Sequence, residues 1–368
     1  MVPEVTRILV VRPDRIGDVI LSTPVFNAIR KHYKDAYLAV LVQETVLPII
    51  SGLPAVDEVI VLRPGVGYLR RLLGMLKERR FDAVIVLQGG FILATLLWLA
   101  RIPLRIGPLS KPFSYFLYNA GLRQNRSSVE MHEADYNLQL LEKIGIRVKP
   151  GSLKTSVFVH EETIKQARVW LIAHGWSGKG PLIAMHPGMG GSALNWPESK
   201  YIQLAKELLG RGFELLITGG AGEHLLLERI RSEVSGPGLP KLVLYFGKGA
   251  YGSSDAYNGG GAGGIDFLAG LFSLADLVIA PSTGPLHLAV ALDKPVLAFY
   301  PPVRVQSAKR WGPYPAGSDH RAVLESSIDC REVFSCKKAS CESFPCMNLI
   351  SVNDALQRIE MLIVLSKI

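Results

Sequence analysis

Two short segments place residues capable of chemistry where a strand-like run gives way to a helix-like one. The first is Arg15-Ile16-Gly17-Asp18 and its continuation to Pro24, after the apolar run Ile8 to Val11. The second is Ala280-Pro281-Ser282-Thr283-Gly284-Pro285-Leu286-His287. Asp18 should stand in the first helical turn at the carboxyl edge of a parallel sheet, the edge where open α/β folds bind ligands. A lone carboxylate there can serve as a base; it can equally do no more than complement the helix amides, worth roughly 0.3–1 kcal/mol. Ser282, Thr283 and Gly284 open a helix whose dipole favours an anion, with His287 one turn inside on the side of Thr283. Ser282 as a plain cap and His287 as a hydrogen-bonded core residue are the structural alternatives.

A third segment, His186-Pro187-Gly188-Met189-Gly190-Gly191-Ser192 and on to Asn195-Trp196-Pro197, leaves another apolar run. Its glycines and serine can turn several backbone N–H groups toward one pyrophosphate. The alternative is an ordinary flexible loop. A dinucleotide-binding loop after Val11 fares worse, because Arg12 to Asp18 lacks the Gly-x-Gly-x-x-Gly turn.

These segments need a scaffold, and the hydrophobic pattern supplies one. Ile8 to Val11, Tyr37 to Val42, Glu58 to Leu62 and Asp82 to Leu87 read as strands buried on both faces. Helical stretches lie between them at Asp18 to His32, Glu44 to Ile50, Tyr68 to Arg79 and Phe91 to Ala100, and a helix from about His132 to Ile144 should close the domain. After Lys149-Pro150-Gly151 the pattern restarts. Strands are expected at Leu182 to His186, Glu214 to Thr218, Leu242 to Phe246, Leu277 to Ala280 and Val296 to Tyr300. Helices are expected at Ser199 to Gly210, Glu223 to Glu233, Asp266 to Ala275 and Thr283 to Ala291. The expectation is two doubly wound α/β domains, residues 1–150 and 151–350, facing each other across a cleft. The helix within 351–368 should cross back onto the first domain. A base on one wall and a phosphate-bearing substrate on the other would suit a sugar-nucleotide transferase.

The chain has 368 residues, 48% hydrophobic and 20% charged, enough for two globular domains and against extensive disorder. No run approaches a bilayer span and the first residues lack a signal-peptide core, so the expected location is cytoplasmic. Phe91 to Ala100 is too short to span and reads as a packed helix, with a membrane-touching helix as the alternative. The net charge of +9 is uneven: residues 1–150 hold 20 Lys and Arg against 13 Asp and Glu. Clusters such as Arg70, Arg71, Lys77, Arg79 and Arg80 could attract an anionic partner or membrane face, or simply be solvated. Nucleic acid is not expected, since no binding motif or basic-aromatic stretch is present.

Cys330, Cys336, Cys341 and Cys346 cluster near the C-terminus with spacings that fit neither a zinc ribbon nor a ferredoxin. Reduced packing cysteines or a facultative disulfide are the default reading, with a structural metal as the lesser alternative. The glycine-rich segment 247–264 lacks the Gly-Lys-Ser or Gly-Lys-Thr of a Walker loop and reads as a flexible surface linker, with a substrate lid as the alternative.

Taken together, Ile8 to Pro24, His186 to Pro197, and Asp276 to Pro301 with Thr-Gly-Pro-Leu-His and Asp293-Lys294-Pro295 resemble the ADP-heptose:lipopolysaccharide heptosyltransferases, glycosyltransferase family 9. The resemblance covers essentially the whole chain, including the late cysteine segment ending Cys346-Met347. It implies a GT-B fold and inverting transfer of heptose from ADP-heptose to the inner core of lipopolysaccharide. It implies Asp18 as general base, with Arg15 on the acceptor side. Ser282, Thr283, Gly284 and His287 would hold the donor diphosphate together with Gly188, Met189, Gly190, Gly191 and Ser192. Glu223 would read the nucleotide ribose. No cofactor and no obligatory metal are implied, and no Asp-x-Asp pair stands in either donor loop. The acceptor would be an acidic lipid A–core glycolipid, which would bring the basic first half against the inner membrane, with closure about Gly145 to Ser152 shielding the donor. Two departures stand out: Leu194 where many members carry Lys, and Ser282 where many carry Asp or Asn. Lys309 and Arg310 are candidates to replace the missing charge. Two other readings are transfer of a different nucleotide-linked sugar and a non-catalytic nucleotide-sugar binder of the same fold.

Overall fold

The computed structural model describes residues 5–191, 193–234, 242–247, 263–332 and 334–365. The chain divides into two compact units, Met1–Arg126 with Glu130–Phe158, and Ser127–Val129 with Val159–Ile368.

The first unit is built on β1 (Arg7–Val11), β2 (Tyr37–Gln43), β3 (Glu58–Leu62), β4 (Ala83–Val86) and β5 (Leu104–Ile106). All pair in parallel in the order β3-β2-β1-β4-β5. Strand order reverses at β1, so the loop that leaves it stands at the topological switch point of the sheet. One face carries Leu9, Val11, Leu41 and Val84 against Leu72, Leu76, Leu93 and Leu97 from two helices.

The expected helix from Asp18 to His32 is two helices, Ile16–Ile20 and Thr23–His32. Pro24 explains the break. It has no N–H to offer the carbonyl of Ile20, and Thr23 Oγ1 donates to that carbonyl instead at 2.8 Å. Ser22 Oγ likewise donates to the Asp18 carbonyl at 2.8 Å.

The boundary lies after Phe158, not near 150. Ser156 N donates to Thr23 Oγ1 at 2.9 Å and Phe158 N to the Ile49 carbonyl at 2.9 Å. The Phe158 ring takes the place a side chain on Gly52 would occupy, 2.0 Å from an added Cβ. Residues 151–158 are therefore pinned to the first unit, a tie with no local sequence signature.

The second unit contains β6 (Leu182–Met185), β7 (Glu214–Gly219), β8 (Leu242–Phe246), β9 (Leu277–Pro281), β10 (Val296–Tyr300) and β11 (Arg321–Glu325). Its parallel sheet runs β11-β10-β9-β6-β7-β8, with the switch point between β9 and β6. The terminal helix Val352–Leu365 does not cross back as expected. Ala355, Leu356, Ile359, Leu362 and Ile363 are buried in the second unit's core, and the helix packs on Glu198–Gly210 and on β9, β10 and β11. Its apolar stripe already has a partner there. Strands β5 and β11, short or half-exposed, carry too weak a pattern to be read in advance. Among the described residues no helix is long and apolar enough to cross a membrane.

Candidate functional site

Asp18 lies in the first turn of Ile16–Ile20, just past the carboxyl end of β1. Its Oδ1 accepts from Arg12 Nη2 at 2.6 Å. Arg12 is 2% exposed and also reaches Asp14 at 3.5 Å and Glu133 at 3.8 Å. Arg126 pairs with Glu133, and Asn137 joins the group by donating to Ser22 Oγ at 3.3 Å. Three carboxylates therefore share two guanidiniums. Burial pushes the Asp18 carboxyl above its ordinary range; Arg12 opposes this, while the Asp14 and Glu133 charges add to it.

Arg15 is exposed at the N-cap of Ile16–Ile20, and the cation on Asp18 is Arg12. Arg12 ends an apolar run at a sheet edge, a signal that could have been read. Glu133, Asn137 and Arg126 are more than a hundred residues away, and only the fold brings them in.

In the second unit the carboxyl ends of β9, β6 and β7 lie side by side. His186 follows β6, its N–H donating to the Ile279 carbonyl of β9 at 2.8 Å. Its Nδ1 meets Thr218 Oγ1 of β7 at 3.0 Å, and its Nε2 lies 3.7 Å from Glu223 Oε2. Burial pulls the His186 pKa down against the opposing pull of Glu223, which favours neutral imidazole. Glu223 Oε2 accepts from Gly220 N at 2.8 Å, closing the turn after β7.

Gly188 lies against Glu223: a Cβ there would come 2.0 Å from the Glu223 carboxylate, which would have to move aside. Met189 is half-buried, Gly190 and Gly191 are exposed, and Gly191 has φ +76. Ser192 lies outside the described residues. The far end of the loop is anchored by Asn195 Nδ2 to the Pro187 carbonyl at 2.7 Å. Trp196 adds a stack on Phe299 and donates to the Ile350 carbonyl at 3.0 Å. Gly188→Ala is expected to displace Glu223 and lower affinity for ADP by about tenfold or more, measured by calorimetry, at an overpacking cost of about 1–3 kcal/mol. Unchanged ADP affinity would show that this loop holds no nucleotide diphosphate.

After β9, Thr283 is the N-cap of Gly284–Ala291, but its Oγ1 donates to the Pro281 carbonyl at 3.2 Å and does not cap the helix. The first helical amides are thus left uncapped by that side chain, as an anion site requires. Ser282 is half-buried next to Tyr300, and His287 is buried in the following turn. The structure therefore brings Gly188, Glu223 and the Ser282–Gly284 turn to one sheet edge, with His287 behind the turn.

Leu194 packs against the core and lines a cavity of about 550 Å³ shared by all four cysteines, which are free thiols. Lys309 is exposed on the short helix Ala308–Trp311, and Arg310 lies over the Trp311 ring. Residues 248–262 of the glycine-rich segment lie outside the described residues. Among the described residues no group of three His, Cys, Asp or Glu side chains is arranged to hold a metal ion.

Residues 69–338 match the family model described as glycosyltransferase family 9 (heptosyltransferase). The chain is 30% identical over 97% of its length to a Haemophilus influenzae protein with a provisional glycosyltransferase name, covering 96% of it. It is 25% identical to the lipopolysaccharide heptosyltransferase 2 of Salmonella typhimurium, over 80% of this chain and 83% of that one. The solved E. coli ADP-heptose lipopolysaccharide heptosyltransferase II superposes with a TM-score of 0.73 at 21% identity, covering 98% of this chain and all of that one. Two parallel-sheet α/β units are the GT-B architecture of that neighbour. With 270 of its residues matched to the family and its fold shared with that neighbour, the chain belongs to glycosyltransferase family 9, the heptosyltransferases.

Proposed function

We propose that this glycosyltransferase moves heptose from ADP-heptose to the inner core of a lipopolysaccharide acceptor, inverting the anomeric carbon, with Asp18 as general base. The observation that supports this best is Asp18 itself, a carboxylate at the sheet switch point with a raised pKa and a guanidinium that orients it. Raising a carboxylate's pKa brings it closer to the range where a base works well near neutral pH.

In this mechanism Asp18 takes the proton of the acceptor hydroxyl while that oxygen attacks the anomeric carbon, and the bond to ADP breaks on the opposite face. No covalent enzyme intermediate forms. Charge growing on the β-phosphate is met by the amides that open Gly284–Ala291 and by the Gly188–Gly191 loop, with no metal required. Glu223 takes the ribose hydroxyls. The acceptor is a phosphorylated glycolipid, and the enzyme works peripherally on the cytoplasmic face of the inner membrane.

Leu194 favours keeping a second reading, a different nucleotide-linked sugar. It is committed to apolar packing at the position where many family members carry lysine. Turnover with ADP-heptose, UDP-sugars and GDP-sugars in excess chelator separates the two. The expected result is transfer from ADP-heptose undiminished by the chelator; transfer only from a non-ADP donor would overturn the heptose assignment.

A further inference from the structure

The helix Phe91–Leu99 is packed on one side only. Leu93, Ala94, Leu96 and Leu97 are buried, whereas Phe91, Ile92, Trp98 and Leu99 face outward. The short helix Ser114–Leu117 packs beside it and presents Tyr115 and Phe116, the latter 83% exposed. Phe91 meets Phe113 edge to face at 5.8 Å, which joins the two helices into one apolar surface. Six large apolar side chains grouped this way exceed the scattered exposure normal on a soluble protein.

The chain segment that carries the patch has charge of one sign, although the neighbouring helix Val66–Arg79 also exposes Glu78. Between Asp82 and Glu130 the sequence contains no Asp or Glu, so both helices sit in a stretch free of carboxylates. Lys111 Nζ lies 5.9 Å from the Phe113 ring. The exposed Arg101 immediately follows the helix, and its N–H donates to the Trp98 carbonyl at 2.9 Å. Arg70 and Arg71 are exposed on the helix Val66–Arg79, which packs on Phe91–Leu99. Aromatic side chains with cations at their edge suit the boundary between lipid headgroups and acyl chains, where the rings enter and the cations meet anionic phosphates.

We propose that this face of the first unit docks on an anionic bilayer, with Trp98, Phe116 and their neighbours entering the headgroup region and Arg101 and Lys111 pairing with lipid phosphates. The inference deepens the reading of a glycolipid acceptor. Its primary test is a binding measurement without donor or acceptor, so it can fail while the transferase reading stands.

The full-length protein is sedimented with vesicles of 30% phosphatidylglycerol in phosphatidylcholine and with pure phosphatidylcholine, at low and high salt. The expected result is binding at least about tenfold stronger to the anionic vesicles and weakened by salt. W98S/F116S and R101E/K111E should each lower that binding by about tenfold or more. Both variants should keep the wild-type melting temperature and the wild-type turnover on a deacylated, water-soluble acceptor, since they alter only exposed side chains. Equal binding to neutral and anionic vesicles, or undiminished binding by W98S/F116S, would overturn the proposal. So would a concentration-dependent dimer of the wild-type protein that W98S/F116S abolishes, because the face would then belong to a second copy.

Discussion

Asp18→Asn is expected to leave ADP affinity within a few fold of wild type while lowering turnover by about a hundredfold or more. Asparagine keeps the size of the side chain and can still accept from Arg12 Nη2, so the local fold should survive. What it loses is the ability to take a proton as the acceptor oxygen attacks. The expected kinetic form is a fall in kcat with little change in the donor KM, since the interaction is made in the transition state. If turnover were unchanged, the base would lie elsewhere and Asp18 would be only an acid in the first turn of its helix.

Arg12→Met should have the second-largest effect, and it acts on both stability and catalysis. Arg12 is buried and faces Asp14, Asp18 and Glu133. Removing it leaves carboxylates short of a partner in a poorly hydrated place, which costs on the order of 3–5 kcal/mol. Denaturant unfolding measures that loss. The catalytic consequence has a sign. A base works in its ionised form, so the acid limb of kcat/KM follows the pKa of Asp18. Arg12 holds that pKa down against burial, and its loss moves the limb to higher pH. Asp14 pushes the pKa up, so Asp14→Asn moves the limb to lower pH. Shifts in opposite directions from the two variants are expected from pH–rate profiles, and shifts in the same direction would show that the limb belongs to another group.

The strands that carry the site were legible because a strand buried on both faces reads as an unbroken apolar run, as β1 and β9 do. The strand-to-helix turns after β6 and β9 were legible as turns because glycine, serine and proline cluster there, though the pattern alone leaves a plain cap or loop as alternatives. Arg12 stands only six residues before Asp18, yet a cation just after a strand ordinarily reads as solvated. Glu133 and Asn137 could not be found from pattern at all. Their place beside Asp18 depends on the helix Glu133–Gln139 packing against Thr23–His32, a contact between segments a hundred residues apart. The boundary after Phe158 and the seat of the terminal helix were misplaced for a related reason. An amphipathic stripe states that a helix must be covered but does not name the surface that covers it.

The measurement that bears most directly on the account is the anomeric configuration of the product. The purified enzyme would be given ADP-heptose and a defined inner-core acceptor, the product mass checked for one added heptose, and the new linkage read by NMR. A single displacement assisted by Asp18 predicts one added heptose with configuration inverted relative to the donor. Retained configuration, or no transfer from ADP-heptose while another nucleotide sugar is consumed, would contradict it.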